Sequence, residues 1–122
     1  MTLAWAVAVA MGAAIGAPLR FATERWFLAR TGDEFPWGTL IVNVVGSAVL
    51  GAVLAVARTS GLSELVVTLI ATGFCGALTT FSGFSAQVLE LGERRSWRGV
   101  AYATGSLVAG VVAAALAHAA FS

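Results

Sequence analysis

Lysine is absent from these 122 residues, and only six side chains are acidic. Neither Lys, Asp nor Glu stands in the middle of an apolar run, which argues against proton-coupled transport, a chemistry that uses an intramembrane carboxylate. A single cysteine, Cys75, excludes a disulfide within one chain and reads as a small buried apolar residue. No nucleophile–base pair and no cluster of metal-ligating side chains is present, so the chain is not read as an enzyme. A net charge of +1 carries no electrostatic footprint for nucleic acid. The N-terminus lacks a basic region, and Ala4 to Ala14 continues without a loop, so no signal peptide is expected. Internal repeats, heptads and low-complexity segments are not evident.

What is there is apolar. Hydrophobic residues make up 59% of the chain, charged residues 11%, and the mean hydropathy is +0.91. A soluble domain is about 45–50% apolar and about 25% charged. The composition therefore predicts an all-α integral membrane protein. A span needs about 20 apolar residues, so residues 1–122 form a single membrane domain with four transmembrane helices, approximately 3–27, 37–57, 64–92 and 97–121. Four short helices cannot enclose much of a pore, which points to a homo-oligomer in the cell (inner) membrane.

The least regular stretch of the third span is Gly73-Phe74-Cys75-Gly76-Ala77-Leu78-Thr79-Thr80-Phe81-Ser82-Gly83-Phe84-Ser85. Glycine and threonine are poor helix formers. Irregular backbone at membrane depth is tolerated only where it is buried in protein or lines a wet cavity. The pattern predicts a broken third helix whose freed carbonyls and amides form an ion or substrate site.

Polar residues elsewhere fall on lines. Thr39, Asn43 and Ser47 recur every four residues on the second span, with Gly46 beside them, and Tyr102, Ser106 and then Gly110 do so on the fourth. Asn43 is either interhelical glue or an N–H donor to a passing anion. Phe81 and Phe84 are either packing or a pair of ring edges that face an anion. Arg20 either snorkels from a helix end or serves function, and Glu24 is spaced to pair with it. Gly12 and Gly16 form a G-x-x-x-G pair that admits a close helix neighbour. Loops are expected at Arg30–Pro36, Arg58–Glu64 and Glu93–Ser96, with Ser63 an N-cap for the third span. His118 reads as an interfacial residue.

Three stretches together resemble the small fluoride channels known as Fluc or CrcB: Gly12-Ala13-Ala14-Ile15-Gly16-Ala17-Pro18-Leu19-Arg20-Phe21, Gly38-Thr39-Leu40-Ile41-Val42-Asn43-Val44-Val45-Gly46-Ser47, and Gly73 to Phe84. The resemblance covers the whole chain. It implies an antiparallel, dual-topology homodimer with two pores, passive fluoride export and a structural, non-transported sodium ion. By motif position, the carbonyls of Gly76 and Thr79 would hold that ion. The fluoride route would use Asn43, Phe81, Phe84, Thr39, Thr80, Tyr102, Ser106 and Arg20. The chain departs from the family at Ala77, where a second Gly is common, at Gly83, where Thr is usual, and at Gln87, where Glu is common.

The residues fit this reading independently, because a pore for strongly hydrated fluoride must replace water with good donors, and Asn43, Thr39, Ser106 and Tyr102 supply them. The runner-up is a small four-helix multidrug exporter coupled to protons; a non-transporting assembly protein is a third class. Charge opposes one implication. Arg25, Arg30, Arg94, Arg95 and Arg98 gather at the loops after spans one and three, against Arg58 alone on the other side. The positive-inside rule then predicts one orientation, whereas the resemblance implies both.

Overall fold

The computed structural model of the protein describes residues 2–122. Helix α1 spans Leu3–Thr31, α2 Trp37–Ser60 and α6 Ser96–Phe121. The third span, Glu64–Arg94, is composite. It comprises a first turn α3 (Glu64–Val67), a π-helical stretch π1 (Thr68–Cys75) and a last turn α4 (Gly76–Leu78). After Thr79 and Thr80 it resumes as α5 (Phe81–Arg94). All four spans are long and apolar enough to cross a bilayer, which makes this a multi-pass inner-membrane protein.

The helices outrun their expected ends, for local reasons. Arg30 and Thr31, assigned to a loop by sequence, are helical. The Thr31 hydroxyl donates to the Phe27 carbonyl at 2.8 Å, and α1 stops only where Gly32 takes φ 74° and its N–H reaches the Leu28 carbonyl. Helix α2 likewise runs through Arg58 to Ser60 and ends at Gly61 in the left-handed conformation. The last loop shrinks to the extended Arg95 between α5 and α6. Ser63 is the N-cap expected, its hydroxyl accepting from the Val66 amide at 3.3 Å.

Packing fixes the third span from two sides. Helix α2 lies mainly on α6, and α1 mainly on π1. Buried Gly12 and Gly16 bring the α1 backbone onto π1 and α4. A methyl group at Gly73 would sit 2.7 Å from the Val9 carbonyl oxygen and 3.0 Å from Gly12 Cα. The G-x-x-x-G spacing thus serves a contact inside the chain. Between α2 and α6 the core is built on Val42, Thr39 and Tyr102. Much of the remaining Leu, Val and Phe surface is exposed, as lipid-facing helices require.

Candidate functional site

The break is two residues of extended backbone: Thr79 at φ −83°, ψ 159° and Thr80 at φ −146°, ψ 124°. Side chains replace the lost helical bonds there. The Thr80 amide donates to Asn43 Oδ1 at 2.9 Å, and Asn43 Nδ2 donates back to the Thr80 carbonyl at 3.3 Å. Thr80 Oγ1 accepts from the Gly83 amide at 3.1 Å and so caps α5. Thr79 turns its own hydroxyl back to the Cys75 carbonyl at 2.8 Å, and its methyl rests on Gly46 of α2.

This wiring has a consequence for the carbonyls. In an unbroken helix the Thr80 amide would bond the Gly76 carbonyl, and the Gly83 amide the Thr79 carbonyl. Both amides are taken by side chains. The carbonyls of Gly76 and Thr79 are thereby left without their helical partners, and Gly76 itself is exposed, with open space where a Cβ would stand.

Around the break opens a cavity of about 500 Å³. Asn43, Gly76, Thr79, Thr80, Phe81, Phe84 and Ser106 all line it. Sequence-distant residues from α2, the third span and α6 therefore meet in one place. Phe81 and Phe84 share a face, as their spacing predicts, with ring centroids 6.1 Å apart. Phe81 is 80% exposed, whereas Phe84 also touches Tyr102 at 5.3 Å. The Ser106 hydroxyl oxygen is buried and has no hydrogen-bond partner among the described residues.

Three expected residues lie outside this cavity. Tyr102, 1% exposed, stands behind Phe84 and donates its hydroxyl to Gln87 Oε1 at 3.1 Å. Thr39 lines a second cavity of about 280 Å³ toward the α1–α2 loop, together with Glu24, Asp33, Gln87 and Glu90. The line Thr39–Asn43–Ser47 thus runs from the outer cavity into the inner one. Arg20 is half-buried on α1 and lines neither. The Arg20–Glu24 pair that the spacing allows is not formed; Glu24 sits beside Gly38 of α2 and faces the outer cavity.

Gln87 stands out in the sequence only as a departure from the family's pattern, whereas nothing there brings the outer carboxylates Asp33 and Glu90 to the polar lines. The signal for Gln87 was weak: a lone amide seven residues beyond the break. Thr80 as the start of a new helix was more legible, since threonine is a preferred N-cap.

The sequence pattern of the CrcB-like protein, Camphor Resistance (CrcB) family matches residues 7–118. The chain belongs to that family. Among curated relatives, a protein of Roseiflexus sp. (strain RS-1) named fluoride-specific ion channel FluC is 48% identical over 92 residues, which cover 75% of this chain and 74% of the relative. A fluoride-specific ion channel FluC 1 of Frankia casuarinae is 44% identical over 118 residues, 92% of this chain and 91% of the relative. One of the same name in Streptomyces avermitilis is 42% identical over 111 residues.

Proposed function

We propose that this protein is a fluoride channel, not an enzyme, that lets fluoride leave the cytoplasm passively and excludes chloride. The observation that carries this reading is the inner cavity, where neutral donors and two aromatic rings converge without any carboxylate. Asn43 has a second N–H beyond the one given to Thr80, and the Ser106 hydroxyl is uncommitted. Both can take the place of water around a small anion. The edges of Phe81 and Phe84 carry the positive end of the ring quadrupole, and the Tyr102 hydroxyl with Thr39 continues the polar line outward. The names of the relatives agree with this assignment.

The working form in this reading is an antiparallel homodimer with two pores and one structural sodium ion. The exposed Gly76 and Phe81 supply a face for a second copy. The carbonyls of Gly76 and Thr79, left without their helical partners, suit an alkali cation. Two breaks meeting on a twofold axis would offer four neutral oxygens, and no carboxylate is near them in sequence. Both insertion orientations are then required, against the arginine bias.

Purified protein in fluoride-loaded liposomes should release fluoride once a potassium ionophore collapses the opposing potential. Release should slow when sodium is replaced by a bulky organic cation. Equal chloride and fluoride efflux would refute the channel assignment, and drug–proton exchange would replace it with an exporter. Unchanged flux after thorough sodium removal would refute only the ion site. For orientation, single cysteines at Ser60 and Ser96 in a Cys75→Ser background should each label by about half from outside intact cells. Full labelling at one and none at the other would rule out dual topology.

A further inference from the structure

The arginines gathered at one end of the helices are arranged in an unusual way. The Arg94–Asp33 pair, at 3.8 Å, ties the α1–α2 loop to the end of α5, so the end of α1 and the start of α6 lie at the same level. Arg94 also pairs with Glu90 at 2.9 Å, and it is the only arginine in an ion pair among the described residues. Three others lie over aromatic rings instead: Arg25 on Phe21 at 5.6 Å, Arg30 on Trp26 at 4.7 Å and Arg98 on Trp97 at 5.4 Å. Each of these rings is more than half exposed. Beside Trp97, a shallow groove of about 500 Å³ runs down α6 along Val100, Ala101 and Thr104.

Each feature has a physical meaning at a bilayer surface. Exposed Trp at the end of a span sits at headgroup level. An Arg laid along such a ring keeps its stem in the apolar zone and its guanidinium edge free. That edge matches a phosphate oxygen pair. An Arg already bridged to carboxylates, as Arg94 is, has less to offer.

We propose that this end of the protein binds anionic phospholipids. The phosphate is taken by the ring-stacked guanidinium groups of Arg25, Arg30 and Arg98, and an acyl chain lies in the groove beside Trp97. The opposite end, with Arg58 alone, lacks the site. The charge bias then has a use that does not depend on fixing one orientation: in either orientation a subunit carries its own lipid-binding end.

The test is lipid retention by the purified full-length protein in neutral detergent, offered phosphatidylglycerol or phosphatidylcholine and followed by native mass spectrometry and by the thermal midpoint. Phosphatidylglycerol should be retained in preference and should raise the midpoint. Each of Arg25→Gln, Arg30→Gln and Arg98→Gln should lower its retention about fivefold, whereas Arg58→Gln and Arg94→Gln should leave it within about twofold. Of these variants only Arg94→Gln removes ion pairs, those with Asp33 and Glu90, and the folding of every variant is checked by the same midpoint without lipid. Equal retention of the two lipids would overturn the proposal, as would an effect of Arg58→Gln or Arg94→Gln as large as those of the ring-stacked three. Should inorganic phosphate raise the midpoint as much as the lipid does, the site would bind free anion and the lipid assignment would fall.

Discussion

Before its break the third span lies with its backbone directly on α1, where Gly12 and Gly16 meet Leu69, Gly73 and Phe74 with no side chain between them. After the break the same span is reached by side chains: Asn43 and Tyr102 hold Thr80 and Gln87 from α2 and α6, and Thr80 caps its own helix. Only farther along does α5 meet a backbone again, at Gly99 of α6, where a methyl group would lie 2.9 Å from the Gly92 amide. A backbone contact has no rotamer with which to adjust, so the first half is placed rigidly. The polar contacts near the break are each worth about 1 kcal/mol net, so the region carrying Phe81 and Phe84 is placed by bonds that can be removed singly. The two halves should therefore fail differently, the first by loss of the fold and the second by loss of flux.

The largest effect is expected on the first side. Gly73→Val puts a branched side chain where even a methyl group meets Val9 and Gly12. Overpacking of this kind costs about 3 kcal/mol, and the yield of monodisperse protein and its thermal midpoint should both collapse. Gly105→Ala is the control, because open space surrounds that position; it should change stability by no more than about 1 kcal/mol. Native-like behaviour of Gly73→Val would mean that the α1–π1 contact does not place the first half.

On the second side, Asn43→Asp should preserve the fold and stop the ion. An ionised carboxylate still accepts the Thr80 amide but can neither donate to the Thr80 carbonyl nor to an anion, which it repels. Loss of a hydrogen bond to a charged group is worth about 1.5–3 kcal/mol, so fluoride efflux should fall by about tenfold to a hundredfold or more, with an unchanged elution profile. A variant that aggregates would instead make Asn43 an anchor like Gly73, and the contrast between the halves would fail.

The same contrast decides what was legible in the sequence. Span number, the break and the lines Thr39–Asn43–Ser47 and Tyr102–Ser106 follow from hydropathy and period, which report which face a residue occupies. Their meeting in one cavity rests on tertiary contacts that no period encodes. The π-helical stretch Thr68–Cys75 left no signal either, since its residues are as apolar as those of any span. Gly12 and Gly16 announced a close neighbour but not which one. The sequence leaves Asn43 as either glue or donor; it bonds the break with one N–H, and the other has no partner among the described residues, so the two roles are compatible.

The smallest expected effect sharpens the comparison most. Tyr102 is among the most buried side chains of the protein, with the rings of Phe35 and Phe84 both 5.3 Å away, and its hydroxyl touches α5 only through Gln87. Tyr102→Phe keeps the ring and removes that single bond. The Gln87 oxygen it frees belongs to a residue lining the outer cavity, where water can replace the lost donor, so the loss should be about 1 kcal/mol or less. Fluoride efflux should then drop by less than about tenfold, well short of Asn43→Asp. Thermal unfolding and liposome efflux measured side by side on both variants check this. If Tyr102→Phe slows flux as much as Asn43→Asp, the hold from α6 governs the half that carries the phenylalanines, and Asn43 is one tie among equals.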